Sequence, residues 1–305
     1  MIKSVLITGA SGLIGTRLTE ILLQNGYQVR HLGRSVATRS GVQGYRWDIT
    51  EGHADPAAFE GVSHVVHLAG AGVADARWTA SRKREILESR TQSTLLLHKM
   101  LAQHGKSVQA LVSASAVGFY GLDTGERLMH EHDEAGVDFL ASVTRQWEGA
   151  VDGPNSSVSR IVKLRIGVVL SERGGAWPKL AQTIRYGLGA ALGTGEQWMS
   201  WIHLDDLCEI FRFALENETL SGTFNAVAPA PVTNGQFNKI AARVLHRPLW
   251  LPNVPSWTLR LALGEMSGMI LGGNRVSSEA IENAGFNFEF PDLEDALTQV
   301  AAHSR

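Results

Sequence analysis

Ile7-Thr8-Gly9-Ala10-Ser11-Gly12-Leu13-Ile14-Gly15 lies where one apolar pattern gives way to another. Val5, Leu6 and Ile7 form the unbroken run of a buried parallel strand, whereas Leu13, Ile14, Leu18, Ile21 and Leu22 recur at helical spacing as far as the stop signal Asn25-Gly26. The spacing predicts strand, glycine loop, helix. In that arrangement Gly9 permits a tight turn, Gly12 lets a pyrophosphate approach the backbone and Gly15 allows close helix packing, while the helix N-terminus presents N–H groups and a partial positive charge. A glycine-rich turn without a ligand is the plainer alternative, but the flanking strand and helix favour a dinucleotide site.

Beyond the first helix, Tyr27 to Leu32 reads as a second strand ending at Gly33-Arg34-Ser35. In a dinucleotide fold this strand end meets the adenosine ribose roughly 20 residues beyond the glycines; an acid there binds the 2′-hydroxyl and an arginine accepts a 2′-phosphate. No Asp or Glu occurs from Ile21 to Trp47, and Arg30, Arg34, Arg39 and Arg46 stand in that interval. Arg34 is best placed, which points to NADP(H) over NAD(H), against the alternative of four solvated surface arginines. Tyr45-Arg46-Trp47 reads as a short third strand, and Asp48-Ile49 leaves it either at an adenine edge or as the cap of the next turn.

Composition bounds the function classes. The 305 residues suffice for one large domain or two, and a formal net charge of −2 gives no general electrostatic ground for a nucleic-acid or membrane partner. The single cysteine, Cys208, excludes an internal disulfide, fits a reducing compartment and reads as a buried structural thiol beside Leu207, Ile210 and Phe211. No apolar stretch is long enough for a membrane span, so the expectation is a cytoplasmic protein.

Val62 to Leu68 reads as a fourth strand, and the small residues Ala69-Gly70-Ala71-Gly72 after it let backbone pass close to a cofactor. His67, inside that strand, reads as a satisfied core group. A helix from about Thr79 to Gln103 puts Arg90 and Thr94 one turn apart, facing either the cofactor or the sheet. Val108 to Ser113 is a fifth strand, and the repeated strand–helix alternation predicts a doubly wound parallel sheet with ligands at the carboxyl ends of its strands. Ser113, Ser115 and Tyr120 would share that crevice. The loop 122–136 carries His130, Glu131, His132, Asp133 and Glu134; a solvated lid or turn is favoured there over a metal site. Trp177, Trp198 and Trp201 are either core rings or a stacking surface for a flat ligand. Asp205 or Asp206 reads as a helix cap, Gly222-Thr223-Phe224-Asn225 as a strand returning to the sheet, and Thr233 to Leu245 as a helix.

These residues resemble the extended short-chain dehydrogenase/reductase superfamily. The likeness rests on Thr8 to Gly15, Asp48, His67-Leu68-Ala69-Gly70, Tyr120-Gly121, Leu164-Arg165 and Trp201-Ile202-His203-Leu204-Asp205-Asp206. More closely, the chain is similar to an atypical "epimerase family protein" subgroup, whose small C-terminal module of unknown function is matched by Val254-Pro255, Gly264-Glu265-Met266, Gly272 to Val276 and Ala284-Gly285-Phe286. The resemblance implies a Rossmann-type domain over residues 1–165, joined by a strand near 222–226, and a smaller discontinuous α/β substrate domain over 166–305 that includes a module at 248–295. It implies cofactor contacts from Gly9, Ser11, Gly12, Leu13, Ile14, Gly15, Arg34, Ser35, Asp48, Ile49, Leu68, Ala69, Gly70, Arg90, Ser113, Arg165 and Gly167.

The superfamily's Tyr-x-x-x-Lys pair is missing. With Glu148 placed on the family's glutamate, Leu140 stands at the tyrosine position and Thr144 at the lysine position; the residues four after Tyr27, Tyr45, Tyr120 and Tyr186 are His31, Ile49, Thr124 and Ala190. Ser115 matches the catalytic serine when Gly118 is an insertion, and Tyr120 is the one tyrosine near the crevice. The expectation is an NADP(H)-dependent oxidoreductase or epimerase for a small polar or nucleotide-sugar substrate, with Ser115 and Tyr120 as catalytic candidates. The alternative is a non-enzymatic NADP(H)-binding sensor or interaction protein.

Overall fold

The computed structural model describes residues 3–36, 39–105, 107–153 and 157–302. Its strands are β1 (Ser4–Thr8), β2 (Gln28–Gly33), β3 (Val42–Asp48), β4 (His53–Ala54), β5 (His64–His67), β6 (Ala110–Ala116), β7 (Leu128–Met129), β8 (Ile161–Ile166), β9 (Val168–Leu170), β10 (Trp198–Met199), β11 (Trp201–His203), β12 (Gly222–Ala226), β13 (Val232–Thr233) and β14 (Arg275–Val276). Its α-helices are α1 (Leu13–Gln24), α2 (Ala80–His104), α3 (Phe139–Val151), α4 (Trp177–Arg185), α5 (Leu204–Glu216), α6 (Asn234–Val244), α7 (Ser256–Leu263), α8 (Gly268–Leu271), α9 (Glu279–Asn283) and α10 (Leu293–Ala302).

Eight strands form one sheet in the order β12-β8-β6-β5-β1-β2-β3-β4, parallel throughout except at β3–β4. This is the doubly wound α/β architecture. β1 and β5 are buried along their whole length, which explains the unbroken apolar run Val5-Leu6-Ile7 in β1. Because β1 pairs with β2 on one side and β5 on the other, the order of the strands reverses beside it. A crevice at the carboxyl ends of β1 and β5 follows from that reversal.

Local signals account for the helix ends. Thr79 and Asp138 cap α2 and α3 through their side chains, and Thr233 forms a reciprocal capping box with Gln236 at the start of α6. The cap of α5 differs from expectation: His203 Nδ1 accepts the Asp205 N–H at 3.1 Å. Asp205 instead pairs with Arg17 at 2.6 Å, and Asp206 accepts the N–H groups of Glu289 and Phe290, tying the C-terminal segment to α5. The third strand begins earlier than predicted, at Val42. Its residues are mostly half-buried or exposed, so their alternation is weak in sequence.

Apolar packing falls into several clusters. The largest joins the sheet to α1, α2 and α5 through Leu6, Leu18, Val66, Leu97, Leu111 and Phe211; each fully buried side chain of this size contributes on the order of 1.5–3 kcal/mol. A second gathers Trp177, Trp201, Phe237 and Leu297. The segment leading into β14 is threaded tightly: a Cβ on Gly272 would lie 2.3 Å from the Leu122 oxygen, and β14 itself pairs in parallel with β7. Among the described residues no helix is long and apolar enough to cross a membrane.

Candidate dinucleotide site and its buried polar network

The glycine loop links β1 to α1 and packs against the chain leaving β5. Gly9 has φ +68°, and a Cβ there would sit 2.7 Å from the Leu68 carbonyl carbon; a Cβ on Gly15 would meet Ala10 Cα at 2.6 Å. Both positions require glycine, one for its turn and its approach to Leu68-Ala69, the other for packing α1 against the loop. Gly12 N–H donates to Gly9 O at 3.1 Å, and Gly12 then leads into α1 with no side-chain cap and no acidic residue in the first turn. Ser11 and Gly12 are exposed, Leu13 and Ile14 half-buried. An uncapped helix N-terminus beside exposed backbone fits a pyrophosphate.

The four arginines of the acid-free interval separate into two kinds. Arg30 donates to the carbonyls of Ala57, Ala58 and Glu60, and Arg39 to Thr16 O and Glu20. Arg34 and Arg46 instead line a cavity of about 540 Å³ with Asp48, Ile49 and one stripe of α2 that includes Ser81, Arg84, Glu88 and Gln92. Asp48 does cap its turn, accepting from the N–H groups of Thr50 and Glu51, and also lines the cavity. Ser35 follows Arg34 and is exposed.

Beneath the loop after β5, Arg90 donates to the carbonyls of Ala71 and Ile86 and lies over the Trp147 ring, with burial lowering its pKa to about 10. A Cβ on Gly70 would come within 3.2 Å of the Arg90 side chain. Thr94 faces the sheet, where its hydroxyl meets His67 Nε2 at 2.9 Å; Thr8 meets the other ring nitrogen at 2.7 Å. His67 is thus a satisfied core group, held neutral by burial with its pKa lowered to about 3. Cys208 is likewise fully buried, and burial pushes its thiol pKa up.

A buried polar network occupies the carboxyl ends of β6, β8 and β12. Ser115 Oγ donates to Glu148 Oε1 at 2.5 Å, and Glu148 receives Arg165 in bidentate fashion, with two contacts of 2.9 Å. Arg165 Nη1 donates to the Tyr120 hydroxyl and to Glu131 O, each at 3.0 Å, while its guanidinium lies 3.4 Å from the Phe119 ring centroid. Tyr120 donates to Asn225 Oδ1 at 2.7 Å; Asn225 N–H in turn donates to Glu131 Oε1. Burial, partly offset by Arg165, raises the Tyr120 pKa to about 12. Ser113 is fully buried, its hydroxyl directed at Ala114 O. Gly167 turns the chain from β8 to β9, where a Cβ would lie 2.5 Å from Ser200 O.

Glu131 therefore fastens the 122–136 loop to this network, and Asp133 pairs with Arg127. Among the described residues no group of three or more His, Cys, Asp or Glu is arranged for a metal. Trp177 and Trp201 are core rings, whereas Trp198 is half-buried beneath Arg275. On α3, Leu140 and Thr144 both lie near Gly118, 3.5 and 3.9 Å from where its Cβ would be. Sequence reasoning did not find Arg84, Gln92, Asn225 or the fastening role of Glu131. The stripe Arg84, Glu88, Gln92 at intervals of four was the signal available for the first two.

The sheet, the switch point and the uncapped glycine loop define a dinucleotide-binding α/β protein of the short-chain dehydrogenase/reductase type. Comparison with known proteins gives the family: the model for the NAD dependent epimerase/dehydratase family matches residues 5–226, a domain of unknown function (DUF1731) matches 254–300, and the chain belongs to that family. It is 39% identical over 295 residues to the epimerase family protein MT2273 of Mycobacterium tuberculosis, covering 96% of each chain. Among solved structures, human epimerase family protein SDR39U1 (isoform 2) with NADPH is similar at a TM-score of 0.88 and 31% identity, over 98% of this chain and 99% of that one. The nucleoside-diphosphate sugar epimerase from Corynebacterium glutamicum is similar at a TM-score of 0.80 and 33% identity, over 99% of this chain and 59% of the other.

Proposed function

We propose that this chain is an NADP(H)-binding atypical short-chain dehydrogenase/reductase that acts as an oxidoreductase or epimerase on a small polar or nucleotide-sugar substrate without a Tyr-x-x-x-Lys pair. The observation that carries the reading is the uncapped N-terminus of α1 behind Gly12, together with Arg34 on the cavity beside β2 and β3. The NADPH in the human relative supports the same choice of cofactor. In this reading residues 1–165 with strand 222–226 hold the cofactor, and 166–305 close over the substrate.

The α1 N-terminus and Gly12 hold the pyrophosphate, Arg34 the 2′-phosphate, and Asp48-Ile49 the adenine edge. The bound nicotinamide supplies two-electron redox chemistry. Proton handling falls to Ser115: because its hydrogen is directed at Glu148, its oxygen lone pairs are available to a substrate hydroxyl, and Glu148 can receive the serine proton as the substrate proton arrives. Arg165 holds the Glu148 carboxylate in place for that exchange. Tyr120, with its hydrogen on Asn225, is the second candidate.

The experiment is turnover of carbonyl and nucleotide-sugar substrates with 4-deuterated NADPH. Stereospecific deuterium transfer, lost in Ser115→Ala while NADPH affinity is retained, supports the reading. Leu140 and Thr144 beside Gly118 favour a second one, an NADP(H)-responsive interaction protein. Its mark is no transfer to any substrate, with different affinities for NADPH and NADP+.

A further inference from the structure

Three arginines face one cavity without a partner among the described residues. Arg34 follows β2, Arg46 lies on β3 and Arg84 on α2, and all three line the space of about 540 Å³. Among the described residues, none of the three side chains makes an ion pair or hydrogen bond. Their neighbours are otherwise: Arg30 and Arg39 are bonded to carbonyls or Glu20, and Arg82 bonds Gly72 O, Asp75 and Glu85. Of the arginines on or beside this cavity, the three that line it are free among the described residues, whereas Arg30, Arg39 and Arg82 hold local structure.

The carboxylates on the cavity wall do not neutralise this set equally. Glu85 is held by Arg82 at 2.7 Å, and Asp48 Oδ1 accepts two backbone N–H groups. Glu88 remains, one helical turn beyond Arg84, as an acceptor suited to a ribose hydroxyl or an exocyclic amine. Among the described residues, a wall with three unpaired guanidiniums, polar side chains at Ser81 and Gln92, and one carboxylate without a bond matches a nucleotide bearing a phosphomonoester.

We propose that Arg84 of α2 joins Arg34 and Arg46 in a cradle for a ribose phosphomonoester, so that cofactor choice is made between the sheet edge and α2 and not by the β2 end alone. This rests on the reading of the chain as an NADP(H)-binding protein, in which the group held is the 2′-phosphate. Arg84 is then a specificity-determining residue contributed by an element that the glycine motif does not include.

The test is a binding titration of adenosine 2′,5′-bisphosphate, 5′-AMP, NADPH and NADH to the wild type, Arg34→Ala, Arg84→Ala and Arg84→Lys. Arg84 is exposed, so its replacement leaves the fold intact, as a thermal melt of each variant will verify. The expected result for Arg84→Ala is a loss of about tenfold or more in affinity for the bisphosphate and NADPH, with 5′-AMP and NADH unchanged and lysine giving partial rescue. An unchanged NADPH-to-NADH ratio, or an equal loss for both, overturns the cradle. If Arg34→Ala collapses the ratio and Arg84→Ala does not, the cofactor reading stands and the cradle falls. If the wild type prefers neither cofactor, both fall.

Discussion

Arg165 and Glu148 meet as a bidentate pair, Nε to Oε1 and Nη2 to Oε2, with side chains only 4% and 8% exposed. The pair sits on β8 and α3 and orients Ser115 through one carboxylate oxygen and Tyr120 through the guanidinium. Removal of one member leaves the other charged and buried. Glu148→Ala is expected to cost about 3–5 kcal/mol of stability in urea denaturation, and Glu148→Gln less, since the amide oxygen still accepts from Ser115. A loss below about 1 kcal/mol for the alanine variant would show that water reaches Arg165.

Tyr120 links that pair to β12. Tyr120→Phe removes the bonds to Asn225 and Arg165, leaving Asn225 Oδ1 without its donor, and is expected to cost roughly 1–3 kcal/mol. Ultraviolet titration should show one further consequence. With the folded pKa raised to about 12, the Tyr120 contribution to stability is complete below about pH 10 and is lost as pH rises through 12. Ionisation of Tyr120 near pH 10 would contradict its placement.

Three buried histidines act at the opposite end of the pH scale. Burial lowers His67 to about 3 and His31 and His64 to about 4, whereas an unfolded chain titrates near 6.5. Their stabilising contribution is therefore complete above about pH 6.5. It is lost as pH falls toward their folded values, at up to about 1.4 kcal/mol per pH unit for each group. Denaturation at pH 7.5 and 5.0 should show a smaller acid loss for His67→Gln than for the wild type; equal losses would place His67 in contact with solvent.

Gly15 reports on the loop and the helix together. A Cβ there meets Ala10 Cα at 2.6 Å, both backbone, so Gly15→Ala must shift the start of α1. The expected cost is about 1–3 kcal/mol, with a parallel loss of NADPH affinity. Normal affinity in the variant would detach the helix N-terminus from the cofactor.

The extent to which this architecture can be read from sequence follows from the range of each interaction. The strand, loop and helix from Val5 to Gln24 are local, and apolar periodicity with three glycines specifies them. Gly222 to Asn225 is legible as a strand, and its parallel pairing with β8 completes the sheet. Val42 to Gly44 carry no such signal, because β3 lies near the sheet edge and is only partly buried. The network is another matter. It joins Ser115, Glu148, Arg165, Glu131 and Asn225 across β6, α3, β8, a loop and β12, and no local pattern marks residues as distant as Glu131 and Asn225 for contact. Arg84, Glu88 and Gln92 were visible at helical spacing, but a polar stripe on a long helix looks the same whether it faces solvent or a ligand.

We propose that the glycine loop and Arg34 hold NADP(H). Titration of the purified protein with NADPH and NADH, repeated on Arg34→Ala, tests it most directly. Tighter binding of NADPH by the wild type, with that preference collapsing in the variant, is the expected result. Binding of neither cofactor, or a preference unchanged by the substitution, would contradict it.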